Sequence, residues 1–300
     1  MSADKKTNLQ LAFVKQCLEA QVADDIHAMA DHVRSGFEDG AVAGVLVYGS
    51  CLRGVSTADS LIDFYVLVHR ADQVSSSKLS SMACKVLPPN VYYAETAYEE
   101  RTLRTKFAVL DVETFGAWMK PKTKNPYFWA RFSQPCGLMY FSDEEARDKI
   151  ASHIRQAIET MYGYCLSFAG SDKMQATKTN DLWQNALIHT YQTELRAEGP
   201  SRAAEIVERN SEYYQKIAQL FNDVRTNKAT WFLRRVQGKT FSILRLLKAS
   251  MTFTGGADYL AWKISRHSGV EVTLKPWQRR HPIIGALFIL PGLLRKGAIK

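Results

Sequence analysis

Apolar residues recur at helical spacing near the start of the chain and then give way to short, continuous apolar runs. Residues 7–35 predict one long helix, whose apolar positions are Leu11, Val14, Leu18, Val22, Ile26 and Met29. The runs at 42–47 and 61–68 are rich in β-branched and aromatic residues, which is typical of buried strands. Residues 91–93 and 106–112 are two further strand candidates. This half of the chain therefore predicts a mixed sheet with helices, an α/β (α+β) fold.

The second half of the chain has a helical pattern. A helix N-terminal signature at Ser142-Asp143-Glu144-Glu145 opens a periodic segment that continues to about Phe168. Helical spacing continues through 181–198 and 203–221. We therefore predict a sheet-containing domain at 1–141, a helical domain at 142–224 and a distinct C-terminal region at 225–300. A winged-helix-like arrangement is one alternative for the helical domain.

The C-terminal region combines apolar residues with a strong positive charge. It holds 15 Lys/Arg against Asp258 and Glu271, a net charge of +13, whereas residues 1–224 carry a net charge of −4. The apolar run at 283–294 contains Pro291 and is shorter than the roughly 20 residues that a membrane span needs. We therefore expect a basic amphipathic segment that lies on an anionic membrane surface; a core helix followed by a strap over the domain is the alternative. The basic residues expected to contact lipid are Arg234, Arg235, Lys239, Arg245, Lys248, Arg279 and Arg280.

The cysteines and the N-terminus bear on the compartment. Five cysteines lie far apart without a CxxC pair, which argues against a zinc site and a disulfide framework. The first residues lack the apolar core of a signal peptide. Together with the basic C-terminal region, these features predict a cytoplasmic protein that associates peripherally with the inner (cytoplasmic) membrane.

The candidate chemistry lies where the first two apolar runs meet a turn and an acid. Tyr48-Gly49-Ser50 follows the first run, and a glycine there lets backbone N–H groups approach a phosphate. Asp63 interrupts the second run, where an ionised carboxylate is costly unless it is paired or metal-bound. We interpret the pair as a phosphate-binding turn and a metal-binding carboxylate; the alternative for Asp63 is a buried cap or ion-pair partner.

This arrangement resembles the polymerase-β-type nucleotidyltransferase signature, although Asp63 lacks the second acid that usually lies two residues away. The chain is most similar in this respect to the mitochondrial-type phosphatidate cytidylyltransferases of the translocator assembly and maintenance family. The shared features include the Tyr-Gly-Ser turn and the sequence motif Leu61-Ile62-Asp63-Phe64. Further similarity is found at Asn90–Tyr93, Lys106–Val109, Trp118, Ala130-Arg131 and Gln134-Pro135. Two features depart from the family. The chain has Phe107-Ala108 where the family has a Tyr-Gly pair, and no glycine separates Ala130 from Arg131. These departures indicate a divergent, bacterial member.

The resemblance, which covers about residues 42–140, implies that CTP and phosphatidate react with Mg²⁺ to give CDP-diacylglycerol and pyrophosphate. Asp63 would bind the metal and act in catalysis, and Tyr48, Gly49 and Ser50 would hold the phosphates. Lys106 and Arg131 are candidates for offsetting phosphate charge, Lys106 in the catalytic step, with solvated or ion-paired residues as the alternative. Asp111 is the candidate for the missing metal-binding carboxylate.

Two other functions fit the same residues. A nucleotidyltransferase that acts on RNA would also use a basic C-terminal region, but the sequence contains no recognisable aromatic RNA-stacking module, and no nucleic-acid partner is expected. The loss of one acid also fits a degenerate nucleotidyltransferase fold that binds a nucleotide or a membrane without catalysis.

Overall fold

The computed structural model describes residues 2–53, 61–75, 78–123, 125–169, 178–193, 200–222, 231–252 and 272–280. Within them, five strands form one sheet in the order β3-β4-β2-β1-β5. Strands β2 and β4 are parallel and the other neighbours are antiparallel, so the predicted mixed α/β class is confirmed. The strands are β1 (Val42–Tyr48), β2 (Leu61–Val68), β3 (Asn90–Tyr98), β4 (Arg101–Asp111) and β5 (Cys136–Phe141).

Helices pack on this sheet and make up most of the described residues after β5. Short 3-10 turns at Gly49–Arg53 and Ala71–Val74 follow β1 and β2. The helices are α1 (Ala3–Leu18), α2 (Asp24–Arg34), α3 (Lys78–Val86), α4 (Val112–Trp118), α5 (Tyr127–Phe132), α6 (Glu144–Ala169), α7 (Thr179–Tyr191), α8 (Pro200–Arg209), α9 (Ser211–Leu220), α10 (Trp231–Thr252) and α11 (Pro276–Arg280).

The central strands form the core of the sheet half. All of β1 is buried, and β2 is buried from Phe64 to its end. Helices α2, α4 and α6 pack on these two strands, which explains why their sequences read as continuous apolar runs rather than as an alternating pattern. Asp63 is the half-buried acid within this apolar strand.

The single helix expected over residues 7–35 is wrong, because the segment forms α1 and α2 with a break between Leu18 and Asp24. The two helices pack on different sets of neighbours: α1 contacts α6, α9 and the edge strand β5, whereas α2 contacts all five strands of the sheet. A straight helix could not serve both surfaces, although the apolar spacing continues across the break.

The helical half is tied back to the sheet half by α10. Its first residue, Trp231, packs against Trp129 of α5 and Tyr164 of α6, with ring centroids 6.4 Å and 5.3 Å away. Farther along, Phe241 lies 6.2 Å from the ring of Trp118. This helix therefore lies against the body of the protein along much of its length.

Candidate active site

The turn after β1 and the acid in β2 are neighbours in the sheet. Tyr48 pairs with Asp63 in the antiparallel β1–β2 register, so Gly49 follows directly beside the carboxylate. Gly49 has a φ of +85°, a left-handed conformation that costs other residues about 1–2 kcal/mol. A Cβ at this position would lie 3.7 Å from Asp63 Oδ2. That separation is an ordinary van der Waals contact, so the left-handed backbone conformation by itself accounts for the glycine.

Asp63 is held next to a lysine by the parallel pairing of β2 and β4. Asp63 pairs with Lys106 in the register, and Asp63 Oδ1 lies 3.3 Å from Lys106 Nζ. This is an ion-pair distance, although Oδ1 makes no hydrogen bond to any of the described residues. The ion-pair alternative for Asp63 is therefore present in the structure.

Asp63 is the carboxylate of this part of the structure that could contribute to a magnesium site. Mg²⁺ is commonly bound by only one or two carboxylates, with waters and substrate phosphates completing its shell. The described residues contain no cluster of three or more His, Cys, Asp or Glu side chains that could hold a metal by themselves. A magnesium ion at Asp63 would therefore depend on the phosphates of a nucleotide for much of its coordination.

Arg131 is placed over the same turn by α5. Its guanidinium carbon lies 4.7 Å from the ring centre of Tyr48 and 5.1 Å from that of Tyr127. The Tyr127 hydroxyl in turn lies 3.0 Å from the hydroxyl of Tyr65, whose pKa is raised mainly by burial. Stacking between two rings limits the rotamers of Arg131, so its charge is positioned beside the turn.

A cavity of about 300 Å³ brings these residues together. It is lined by Tyr48, Gly49, Asp63 and Arg131, and Gln134 and Pro135 also contribute to its wall. The structure thus gathers four of the predicted site residues around one cavity, and Lys106 is paired with Asp63. The backbone of Ser50 is the second residue of the 3-10 turn Gly49–Arg53, and its side chain lies outside the described part of the structure.

The helical half supplies a part of the wall that sequence reasoning missed. Tyr191 comes from α7, Arg202 and Ile206 from α8, and Asn210 from the residue after α8. Residues 202, 206 and 210 recur every fourth position, which indicates a single helix face. This spacing was visible in the sequence, but only the tertiary packing shows that the face meets the Asp63 cavity.

Two cysteines also line the cavity, and neither is suited to nucleophilic chemistry. Burial raises the pKa of Cys17 to about 11 and that of Cys136 to about 12. Because the thiolate is the reactive form, both thiols are protonated near neutral pH. The chemistry of the cavity therefore rests on its charged residues.

Asp111 is not the second metal ligand of this cavity. In the parallel register Asp63 faces Lys106, whereas Asp111 faces Val68 five residues farther along, which separates the two acids by roughly 16 Å. Asp111 instead caps α4, since its Oδ1 accepts a hydrogen bond of 2.8 Å from the backbone N–H of Thr114. This capping role explains why an acidic residue occupies position 111.

Three of the arginines expected to contact lipid face the protein instead. Arg234 is only 4% exposed and donates hydrogen bonds to the carbonyls of Pro121 and Thr123 and to the Tyr164 hydroxyl. Burial lowers its pKa. Arg235 donates to Gln192 Oε1 at 2.9 Å.

Arg245 completes this set of inward-facing arginines. It donates to the Pro88 carbonyl at 2.8 Å and stacks 4.2 Å above the ring of Tyr127. The expected lipid-binding role is wrong for Arg234 and Arg245, because their guanidinium groups attach α10 to the body, and Arg235 likewise contacts α7.

The outward face of α10 is apolar. Phe232 is 75% exposed, and Leu233, Val236 and Leu244 are also exposed. At about 100° per residue these positions share one side of the helix with Lys239, opposite Arg234 and Arg245. Lys239 and Arg279 are exposed, while the side chains of Lys248 and Arg280 lie outside the described part of the structure. Among the described residues, no helix combines the length and hydropathy needed to cross a bilayer.

Comparison with known proteins adds little to this geometry. No protein-family model matches the chain, and no curated protein matches it. Among solved structures, the chain is similar to a nucleotidyltransferase-like protein from Exiguobacterium sibiricum 255-15, with 11% sequence identity over 90% of this chain and 91% of that chain. The TM-score is 0.26, and we draw neither fold nor function from a similarity at that level.

Proposed function

We propose that the chain is a nucleotidyltransferase that transfers the cytidylyl group of CTP to phosphatidate, giving CDP-diacylglycerol and pyrophosphate. The observation that carries the proposal is the placement of Asp63, Gly49 and Arg131 around one cavity, with Lys106 paired to Asp63. Nucleotidyl transfer requires a phosphate-binding turn, a metal-binding carboxylate and cations that offset charge at the leaving group. These three elements correspond to Gly49, to Asp63, and to Lys106 with Arg131.

In the proposed reaction a phosphate oxygen of phosphatidate forms a bond to the α-phosphorus of CTP. The bond between the α-phosphorus and the bridging oxygen to the β-phosphate breaks, and its electron pair leaves with pyrophosphate. Mg²⁺, when bound, would neutralise phosphate charge and polarise the phosphorus–oxygen bonds. Asp63 would hold the ion, the backbone at Gly49 would bind phosphate oxygens, and Arg131 would offset charge on the leaving pyrophosphate.

The lipid substrate is supported by the surface of α10. Scattered exposed apolar side chains are ordinary, but here four of them share one helix face with Lys239. The C-terminal region as a whole carries a net charge of +13. Apolar burial and attraction to anionic lipid reinforce each other at a membrane interface. We propose that this face binds the anionic membrane that contains phosphatidate, with the inward-facing arginines holding the helix in place.

The transfer reaction is tested with the full chain, CTP labelled with ³²P at the α-position, Mg²⁺ and vesicles that contain phosphatidate. We expect label in the lipid phase, and we expect Asp63→Asn to abolish it while the exposed Asp31→Asn leaves it unchanged. Transfer of the label to an RNA end, without a lipid product, would refute the lipid reaction in favour of an RNA-acting enzyme. Binding of CTP without transfer to either acceptor would favour the non-catalytic alternative, for which the lone carboxylate is the supporting observation.

A further inference from the structure

The wall that α8 contributes to the Asp63 cavity carries an arginine that the reaction described above does not use. Arg202 lies on the same face as Ile206 and Asn210, and all three line the cavity. Its side chain is 32% exposed, so the guanidinium is neither buried in the core nor fully solvated. Arg202 therefore adds a positive charge from the helical half to a cavity whose acid comes from the sheet.

The charges around the cavity match an anion. Among the described residues that line it, Asp63 is the one carboxylate, while Arg131 and Arg202 are both positive. Lys106 adds a further positive charge next to Asp63. A metal ion at Asp63 would make the cavity more positive still, and a polyphosphate with several negative charges would balance it.

Arg202 has a partner that can exchange with a ligand. Its Nη1 lies 2.7 Å from Glu205 Oε2, one turn along α8. Arg209 contacts the other oxygen of the same carboxylate at 3.1 Å. One carboxylate therefore serves two guanidinium groups, and exposed pairs of this kind contribute little energy. Arg202 can transfer its hydrogen bonds to a phosphate while Glu205 retains Arg209.

We propose that Arg202 is a further substrate-binding residue, which binds the polyphosphate of the nucleoside triphosphate from the helical half of the protein. This inference rests on the proposed nucleotidyltransferase function and extends its site beyond the sheet half. Arginine is suited to the task, because its planar donors can bind two phosphate oxygens at once.

The test measures binding of CTP and of CMP to the full-length protein with Mg²⁺ by isothermal titration calorimetry. Arg202→Gln is expected to weaken CTP binding by about 10-fold or more, as befits the loss of a charge-assisted hydrogen bond, and to change CMP binding much less. Arg209→Gln is the matched control, because Arg209 contacts the same acid without lining the cavity, and it should change neither affinity.

A second variant separates a direct contact from a folding defect. Glu205→Gln removes the carboxylate that competes for Arg202, so it is expected to strengthen CTP binding, a change that a damaged fold would not produce. Unaltered CTP affinity in Arg202→Gln would overturn the inference, as would equal losses for CTP and CMP or a higher KM for phosphatidate alone.

The same measurements keep this inference apart from the proposed reaction. If the wild-type chain binds CTP through Arg202 but transfers nothing to phosphatidate, the lipid reaction fails and the role of Arg202 stands. If transfer occurs and Arg202→Gln behaves as wild type, the role of Arg202 fails alone. If the wild-type chain binds no CTP, both are refuted.

Discussion

Replacing Arg234 by methionine should lower the free energy of unfolding by about 2–4 kcal/mol while leaving the proposed membrane-binding face of α10 intact. The guanidinium group lies beneath α10 and donates to two backbone carbonyls, those of Pro121 and Thr123, and to the Tyr164 hydroxyl. It also stacks 5.0 Å above the ring of Tyr164. Methionine can fill much of the aliphatic volume, but it donates to none of these oxygens.

The magnitude follows from the three contacts and one opposing effect. A hydrogen bond from a charged donor contributes about 1.5–3 kcal/mol, and removing a donor leaves its buried acceptor without a partner. The expected loss of stability is smaller than the sum of these three hydrogen bonds, because methionine avoids the cost of desolvating the guanidinium. That desolvation is the main cause of the lowered pKa of Arg234. The buried Nε, which makes no hydrogen bond to any of the described residues, reduces the net contribution further.

The assay compares Arg234→Met with Phe232→Gln, a change on the opposite, exposed face of α10. Urea denaturation followed by circular dichroism should show the loss of stability for Arg234→Met and little change for Phe232→Gln, whose side chain is 75% exposed. Sedimentation with anionic vesicles, under conditions in which both variants are folded, should show weaker vesicle binding for Phe232→Gln and little change for Arg234→Met. Weaker vesicle binding by Arg234→Met at unchanged stability would refute this orientation of α10.

Three further changes probe the site and its supports. Gly49→Ala should cost about 1–2 kcal/mol of stability, because the left-handed φ disfavours a side chain. It should also lower the rate of transfer from CTP per folded molecule. A rate per folded molecule equal to that of the wild type would contradict the role of the turn. Asp111→Ala should lower stability by about 1 kcal/mol through loss of the α4 cap without reducing transfer, and a loss of Mg²⁺-dependent activity would restore Asp111 as a metal ligand. Burial lowers the pKa of His153, so as the pH falls below about 6.5 the unfolded chain takes up a proton that the folded chain resists, and stability declines. The unfolding free energy of His153→Gln should therefore depend less on pH than that of the wild type between about pH 7 and about pH 5.

Much of the sheet was predictable because its strongest signals are local. The runs at 42–47 and 61–68 became β1 and β2, since strands buried on both faces need apolar side chains at every position. β5 was missed, although Cys136–Phe141 is mostly apolar, because a short apolar run cannot be assigned by periodicity alone. Helix α3 was missed as well, because the serine-rich stretch at 75–81 is typical of a loop, whereas a helix begins there at Lys78.

The site was predictable in part for the same reason. Gly49 and Asp63 belong to a local motif, and the strand register brings them together. Arg202 could not be predicted, because its position at the cavity depends on how α8 packs against the rest of the protein. The orientation of α10 could not be predicted from its amino-acid composition either. A helix that mixes arginines with apolar residues predicts charges facing out, yet ring stacking and backbone carbonyls hold Arg234 and Arg245 inward.

Nucleotidyl transfer sends the α-phosphate of the nucleotide to the acceptor, while the β- and γ-phosphates leave together as pyrophosphate. With phosphatidate vesicles, Mg²⁺ and the full-length chain, CTP labelled with ³²P at the α-position should yield labelled lipid, and CTP labelled at the γ-position should yield labelled pyrophosphate in equal amount. Asp63→Asn should abolish both products. Label from the γ-position in the lipid, or release of inorganic phosphate without a labelled lipid, would contradict nucleotidyl transfer at the Asp63 cavity.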